Sequence, residues 1–109
     1  MGNKMLAAAL LTAAVLVATG CHQKAAVRVH RVEMSTTGFA PAEVTAAPGD
    51  TIVWANHDIV PHTATAAGRQ FDSGTVPPGA EWSFVVRERG RMPYVCIFHP
   101  TMKGAIVTP

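Results

Sequence analysis

The sequence is poor in charged residues, aromatic residues and cysteine. Charged residues make up 15% of the 109 residues and aromatic residues 6%, and there are two cysteines. Hydrophobic residues make up 49%, which excludes the highly charged, weakly hydrophobic composition of disordered chains. The formal net charge of +2 is too small to suggest nucleic acid as a partner. The length therefore predicts one compact domain that is nearly neutral.

A long uncharged segment occurs near the N-terminus, where residues 5–19 follow Lys4. A membrane-spanning helix needs about 20 apolar residues, so this shorter segment is more typical of an export signal. The segment ends at Ala18-Thr19-Gly20-Cys21, which resembles the lipobox of bacterial lipoproteins, where the cysteine is lipidated. We predict a lipoprotein signal peptide over residues 1–20 and lipidation of Cys21. An ordinary cleaved signal that happens to precede a cysteine is the alternative.

The mature chain is then predicted to consist of a lipidated tether, residues 21–26, and one domain, residues 27–109. Five extended residues span about 17 Å, so the domain is held close to a membrane. We expect an exported bacterial protein that is anchored to a membrane and faces the periplasm. Without use of the lipobox, the same chain is expected to be periplasmic.

The predicted domain is a succession of short apolar segments separated by turn residues. Turns are indicated by Pro48-Gly49-Asp50 and by the Val-Pro-Pro-Gly sequence at residues 76–79. No helix longer than one turn is predicted. About seven to eight short strands indicate an all-β fold, a Greek-key β-sandwich. The candidate strand regions are residues 27–33, 39–44, 51–55, 60–66, 82–86, 92–97 and 104–108.

Cys96 needs an explanation, because lipid on Cys21 leaves it without a partner for an intramolecular disulfide. A lone thiol in an oxidising compartment is reactive unless something binds it. His99 and Met102 follow it at intervals of three residues, and His62 precedes it. Pro100 disfavours a helix, so the three C-terminal residues are predicted to share a loop. Together the four side chains form the ligand set of a mononuclear blue-copper site, although each taken alone could be structural.

These residues and their surroundings resemble the cupredoxin family of small blue copper proteins, in the branch of plastocyanin, pseudoazurin and amicyanin. The spacing Cys-x2-His-x2-Met is similar to that of amicyanin. The resemblance implies that His62, Cys96 and His99 are the strong ligands of one type 1 copper ion and that Met102 is the axial ligand. It runs from about Phe39 to the C-terminus and includes Pro48-Gly49-Asp50-Thr51, Trp54-Ala55-Asn56, Pro61-His62, Val76-Pro77-Pro78-Gly79, Tyr94-Val95-Cys96, His99-Pro100 and Met102-Lys103-Gly104.

Two positions depart from that branch. Thr63 stands where asparagine is usual; its backbone N–H remains available to the thiolate, but the side-chain bonds between the ligand loops are expected to differ. Phe98 stands where relatives commonly have proline, and it restores a backbone N–H near the sulfur. An added hydrogen bond withdraws electron density from the thiolate. We therefore predict a higher reduction potential than for the proline variant.

The resemblance implies a one-electron carrier that cycles between Cu(II) and Cu(I), rather than an enzyme. Four protein ligands leave no open position for a substrate. His99 matches the surface ligand through which electrons pass in relatives, with Pro61, Pro100 and Phe98 as candidate patch residues. A small apolar patch implies that the protein docks briefly with a redox donor and a redox acceptor, and that salt has little effect on this docking. The protein is expected to be a monomer. A copper-handling lipoprotein without electron transfer is the main alternative, and a metal-free structural module predicts a colourless protein.

The remaining histidines and the large apolar residues have no comparable context. We expect the histidines to lie on the surface or in the tether and the aromatic residues and two methionines to pack in the core. The histidines are His22, His30 and His57; the apolar residues are Trp54, Trp82, Phe71, Phe84, Tyr94, Met34 and Met92.

Overall fold

The computed structural model describes residues 1–2, 8–21 and 25–109. Residues 3–7 of the predicted signal peptide and residues 22–24 of the predicted tether, including His22, lie outside the described residues. Residues 8–21 and 25–28 have no regular secondary structure. In the part of the chain that is described, no helix has the length and hydropathy needed to cross a bilayer.

The described domain consists of eight strands in two four-stranded sheets, which confirms the predicted all-β sandwich. The first sheet has the order β2-β1-β4-β6 and the second β3-β8-β7-β5. The strands are β1 Val29–Ser35, β2 Gly38–Ala40, β3 Glu43–Thr45, β4 Thr51–Asn56, β5 Thr65–Ala66, β6 Glu81–Val85, β7 Gly90–Val95 and β8 Lys103–Thr108.

Two parallel pairings determine which loops share an end of the sandwich. β1 pairs in parallel with β4, and β3 pairs in parallel with β8, whereas the other pairs are antiparallel. The loops after β4 and β7, residues 57–62 and 96–102, meet at one end, which we call the site end. Residues 25–28, 46–50 and 86–89 meet at the opposite end, which we call the tether end, through Thr51 N–H to Arg28 and Gly49 N–H to Val86.

Trp54 lies at the centre of the core, as its place on the apolar strand β4 predicts. It is fully buried, and its ring centroid lies 5.2, 5.5 and 5.4 Å from those of Phe71, Trp82 and Tyr94. Trp82 and Phe84 are half-buried against this cluster, and Met34 and Met92 are buried within it. Aromatic pairs in such arrangements each contribute about 0.5–1.5 kcal/mol beyond area burial. The predicted core role of these residues is confirmed.

The strand predicted over residues 60–66 is wrong for its first part. Only Thr65–Ala66 forms a strand, and His62 makes an isolated bridge with Val76. The preceding loop is shaped by the side chain of Asn56, whose Nδ2 donates to the carbonyl of Val60 at 2.9 Å. A side chain that binds the backbone in this way competes with strand pairing.

The strand predicted over residues 39–44 is wrong as a single strand, because residues 38–40 form β2 in the first sheet and residues 43–45 form β3 in the second. The boundaries of two other strands also differ from the prediction. β1 begins at Val29 rather than at residue 27, and β7 spans Gly90–Val95 rather than residues 92–97. The N–H of Ile97 donates to the hydroxyl of Thr63 at 3.0 Å. This bond takes the backbone out of the sheet directly after β7.

His30 is not the surface or tether residue that we predicted. It faces inward on β1, and its Nε2 lies 2.9 Å from Oδ2 of the buried Asp50. Asp50 also accepts the N–H groups of Arg28 and Ala47, both at 3.0 Å. These hydrogen bonds, that of His30 first among them, lower the pKa of Asp50 to about 2. The carboxylate therefore ties β1 to the Pro48-Gly49 turn at the tether end.

Candidate metal centre

Three of the four predicted ligands come together at the site end. One donor atom each of His62, Cys96 and His99 lies within 4.8 Å of the others. Sγ of Cys96 is 3.8 Å from Nδ1 of His62 and 3.6 Å from Nδ1 of His99. Metal–sulfur and metal–nitrogen bonds of about 2.3 and 2.0 Å, meeting at about 120°, place sulfur and nitrogen about 3.7 Å apart. The donors are therefore spaced to bind one metal ion between them.

The loop after β7 folds back on itself and so brings Met102 beside Cys96. The N–H of His99 donates to the carbonyl of Cys96 at 3.3 Å, and the N–H of Met102 donates to that of His99 at 2.8 Å. The N–H of Cys96 in turn donates to the carbonyl of Met102 at 3.0 Å. Met102 is buried and, with His62 and His99, lines a cavity of about 340 Å³. Its role as axial ligand stays a prediction.

Asp58 is a residue of the site that sequence reasoning missed. Its Oδ2 lies 2.8 Å from Nε2 of His62, and both side chains are almost completely buried. Because the carboxylate accepts the proton on Nε2, Nδ1 keeps its lone pair and points to Cys96. The bond from His62 lowers the pKa of Asp58. Burial opposes protonation of His62, but Asp58 and Cys96 together outweigh it and raise the pKa of that ring.

Asn56 fixes the loop that carries Asp58. Its Oδ1 accepts the N–H of Asp58 at 2.9 Å, and its Nδ2 donates to the carbonyls of Val60 and Val76 at 2.9 and 3.0 Å. The other carboxylate oxygen of Asp58 accepts the N–H of Ile59 at 2.7 Å. The carboxylate is thus held in place before any metal binds.

The sulfur of Cys96 is buried among hydrogen-bond donors. The N–H of Thr63 donates to it at 3.4 Å. Burial raises the pKa of the Cys96 thiol. The backbone of Thr63, the rings of His62 and His99 and the backbone of Phe98 have the opposite and larger combined effect, so the pKa is lowered to about 6. Cys96 is therefore a thiolate at neutral pH, the form that binds metals. The Phe98 N–H thus acts on the sulfur in the expected direction, and the predicted rise in reduction potential stays a prediction.

Thr63 connects the two ligand loops through its hydroxyl as well as its N–H. Its Oγ1 accepts the N–H of Ile97 at 3.0 Å and lies 2.9 Å from Oγ1 of Thr65. Thr65 donates to Oδ1 of Asp72 at 3.0 Å. Since each hydroxyl has one proton, Thr63 donates to Thr65 and accepts from Ile97. This chain of hydrogen bonds is the altered bracing that Thr63 predicts.

Several exposed apolar residues lie on the two loops that carry His62 and His99. His99 is exposed, as predicted, and so are Pro61 and Pro100. Phe98 is 47% exposed, and two isoleucines that the prediction omitted, Ile59 and Ile97, are 90% and 55% exposed. We call His99 with Ile59, Pro61, Ile97, Phe98 and Pro100 the apolar patch.

Two of the other residues singled out in the sequence lie outside this site. His57 is exposed, and its Nε2 lies 3.1 Å from a carboxylate oxygen of Glu33. Cys21 is exposed and has no disulfide. The structure thus brings His62, Cys96 and His99 together, places the buried Met102 beside them in the same cavity, and adds Asp58 to the site.

Comparison with known proteins identifies the family. Residues 7–108 match the family model of the cupredoxin-like domain. No curated protein matches the chain by sequence. Among solved structures, a purple cupredoxin from Nitrosopumilus maritimus is 22% identical with a TM-score of 0.69, and the match covers 73% of this chain and 99% of that one.

Two further structures share the fold. A methionine variant of amicyanin in its Cu(I) form is 22% identical with a TM-score of 0.69, and 74% of this chain and 82% of that chain are covered. A copper-containing nitrite reductase from Thermus scotoductus is 24% identical with a TM-score of 0.68; 73% of this chain and 22% of that chain are covered. The fold, the grouping of His62, Cys96 and His99 and the family match together support copper binding. The chain belongs to the cupredoxin family, with amicyanin-like relatives.

Proposed function

We propose that this cupredoxin is a one-electron carrier with a single type 1 copper ion. The observation that carries the proposal is the position of the Cys96 thiolate, 3.8 and 3.6 Å from Nδ1 of two histidines. A thiolate with two imidazoles and a thioether is the ligand set of blue-copper electron-transfer sites. When bound, copper supplies the one-electron couple of Cu(II) and Cu(I).

The chain's own residues hold this ligand set in one arrangement. Asp58 orients His62, Asn56 fixes Asp58, and the Thr63 hydroxyl joins the loop of His62 to that of Cys96. Ligands that are positioned by buried hydrogen bonds move little when the charge of a bound ion changes. A small rearrangement favours rapid electron transfer.

Met102 is the proposed axial ligand. Its buried position beside the two histidines suits a weak fourth contact. With four protein ligands no position remains for a substrate, so the protein transfers electrons and does not convert a bound molecule.

Electrons are proposed to enter and leave through His99. The apolar patch surrounds this exposed ligand and offers a surface that is free of charged groups among its own residues. Partners are a redox donor and a redox acceptor, each docking briefly through a small interface. Since the contacts are apolar, salt has little effect on docking. The carrier works as a monomer.

We also propose that Cys21 carries lipid and places the domain on the periplasmic side of a bacterial membrane. The lipobox-like Ala18-Thr19-Gly20-Cys21 supports this location. Mass spectrometry of the protein isolated from membranes tests it. Lipid mass on the peptide that begins at Cys21 is expected.

Visible and EPR spectra test the electron-carrier proposal. The mature chain with Cu(II) is expected to show an intense thiolate-to-copper absorption band at about 600 nm. Reduction with ascorbate should remove the band reversibly. Cys96→Ser, which keeps an oxygen in place of the sulfur, is the control and lacks the band. Copper that leaves on reduction would instead favour a copper-handling role, and a colourless protein would favour a structural one.

A further inference from the structure

Charge is distributed unevenly between the two ends of the domain. At the tether end, Arg28, Arg87 and Arg89 are exposed, with Glu88 as the exposed acid among residues 86–89. The other acid at this end, Asp50, is buried and hydrogen-bonded to His30. Arg89 also donates a hydrogen bond to the backbone oxygen of Pro109. Among the exposed charged side chains of the tether end, the three arginines outnumber the one acid.

The rest of the domain has a slight excess of acids. Its four basic residues are outnumbered by five acids. The basic residues are Arg31, Arg69, Arg91 and Lys103; the acids are Glu33, Glu43, Asp58, Asp72 and Glu81. The exposed arginines of the tether end thus contrast with a slight excess of acids in the rest of the domain.

The basic residues of the tether end share a surface. Arg28 and Arg89 line one cavity of about 610 Å³, together with His30 and residues of the 46–50 turn. Val27 and Val29, on either side of Arg28, are 67% and 63% exposed. The site loops lie at the opposite end of the sandwich.

We propose that the tether end is a docking face for the anionic headgroups of phospholipids. Docking there stands the domain on the membrane with the apolar patch directed away from it. The proposal rests on lipidation of Cys21, which places this face within a few residues of the bilayer. Each basic residue close to an anionic surface increases membrane affinity by roughly fivefold. The acidic excess elsewhere is repelled by the same surface and favours the same orientation.

Sedimentation with vesicles tests the face without the lipid. The mature chain with Cys21→Ser is mixed at low salt with vesicles of phosphatidylglycerol or of phosphatidylcholine. Every residue of the buried core lies between residues 32 and 106, so loss of the signal peptide leaves the core complete. We expect binding to the anionic vesicles alone, and its loss at about 1 M salt, where screening acts over about 3 Å.

Matched charge reversals locate the face. Arg28→Glu and Arg89→Glu are each expected to lower affinity by at least roughly fivefold, whereas Lys103→Glu at the site end leaves it within about twofold. Both arginine side chains are exposed, and either variant alone suffices if the other misfolds. Equal affinity for the two lipids, or equal losses for Arg28→Glu and Lys103→Glu, would overturn the proposal. Binding is measured without copper, so failure here is distinct from failure of the electron-carrier proposal.

Discussion

The two ends of the sandwich each contain a histidine paired with a buried aspartate, and the two pairs have different consequences. Nε2 of His62 lies 2.8 Å from Asp58 at the site end, and Nε2 of His30 lies 2.9 Å from Asp50 at the tether end. Nδ1 of His62 faces the Cys96 sulfur, and His62 is 2% exposed, whereas the side chain of His30 is 24% exposed.

The difference lies in what surrounds each pair rather than in the pair itself. At the site end the aspartate is fixed by the loop and orients the imidazole towards other donors. At the tether end the imidazole is one of three groups that bind the aspartate, beside the N–H groups of Arg28 and Ala47. One carboxylate prepares a ligand, and the other holds a turn. The distance between histidine and aspartate, which is nearly equal in the two pairs, therefore does not show whether a pair orients a ligand or stabilises a turn.

Removal of the imidazole from each His–Asp pair should give the largest difference in copper binding between the two ends. His62→Ala removes a proposed ligand, so we expect loss of the band at about 600 nm. Cu(II) affinity should fall by more than about 100-fold, which exceeds the effect of removing a group that only orients a ligand. His30→Ala is the control and should keep both. Copper titration followed by visible absorption measures the two. An intact band in His62→Ala would contradict the assigned ligand set.

Neutralising each aspartate should give a smaller effect of the same kind. Asp58→Asn leaves a weaker acceptor for Nε2 of His62, so Cu(II) affinity should fall about 10- to 100-fold. Loss of a negative charge near the ion disfavours Cu(II), so the reduction potential should rise. Asp50→Asn should change neither quantity. Affinity titration and voltammetry test the pair of variants, and equal potentials in both would show that Asp58 does not act on the site.

Acid should weaken the tether end through Asp50. Its pKa is about 2 in the folded protein, below the value of about 3.9 of an unfolded aspartate. The stabilisation is therefore complete above pH about 4 and is lost as the pH falls towards 2. Denaturant unfolding of the metal-free protein at several pH values should show a smaller loss over this interval in Asp50→Asn. An unchanged pH dependence would mean that Asp50 does not contribute it.

The smallest expected effect concerns a backbone N–H group near the Cys96 sulfur. At both ends of the sandwich, backbone N–H groups stabilise a negatively charged side chain, Cys96 at the site end and Asp50 at the tether end. Phe98→Pro removes the Phe98 N–H, which is among the groups that lower the pKa of Cys96. A hydrogen bond worth about 1 kcal/mol corresponds to about 40 mV for one electron, so the potential should fall by about that amount. Phe98→Ala keeps the N–H and should match the native protein in voltammetry. An unchanged or higher potential in Phe98→Pro would refute the prediction.

The sequence predicted those parts of the fold whose signal is local. Residues 51–55, 82–86 and 104–108 are apolar or β-branched and lie between turn residues, and each became a strand within one residue of its predicted limits. Residues 60–66 have a similar composition but form mostly loop, because the Asn56 side chain binds the backbone there. The pattern of apolar and β-branched residues that predicts a strand gives no sign of this side-chain contact.

The same distinction applies to the site. His62, Cys96 and His99 were predicted from residue type and spacing, and the structure brings their donor atoms within 4.8 Å of one another. Met102 was predicted in the same way, and its role as axial ligand stays a prediction. Asp58 was missed because a residue four positions before a histidine contacts it in a helix, whereas in a loop only the path of the backbone decides. The contact of His30 with Asp50 depends on the parallel register of β1 and β4, which places residue 30 opposite Ile52.

The pairing of β3 with β8 determines when the metal centre can form during folding. The first sheet uses residues 29–85, but the second sheet joins residues 43–45 to residues 105–107. Closing that long loop is slow relative to local pairing. Cys96 and His99 lie between β7 and β8, so their loop is held at both ends only after the last strand has joined. The complete set of donor atoms is thus expected to form late in folding.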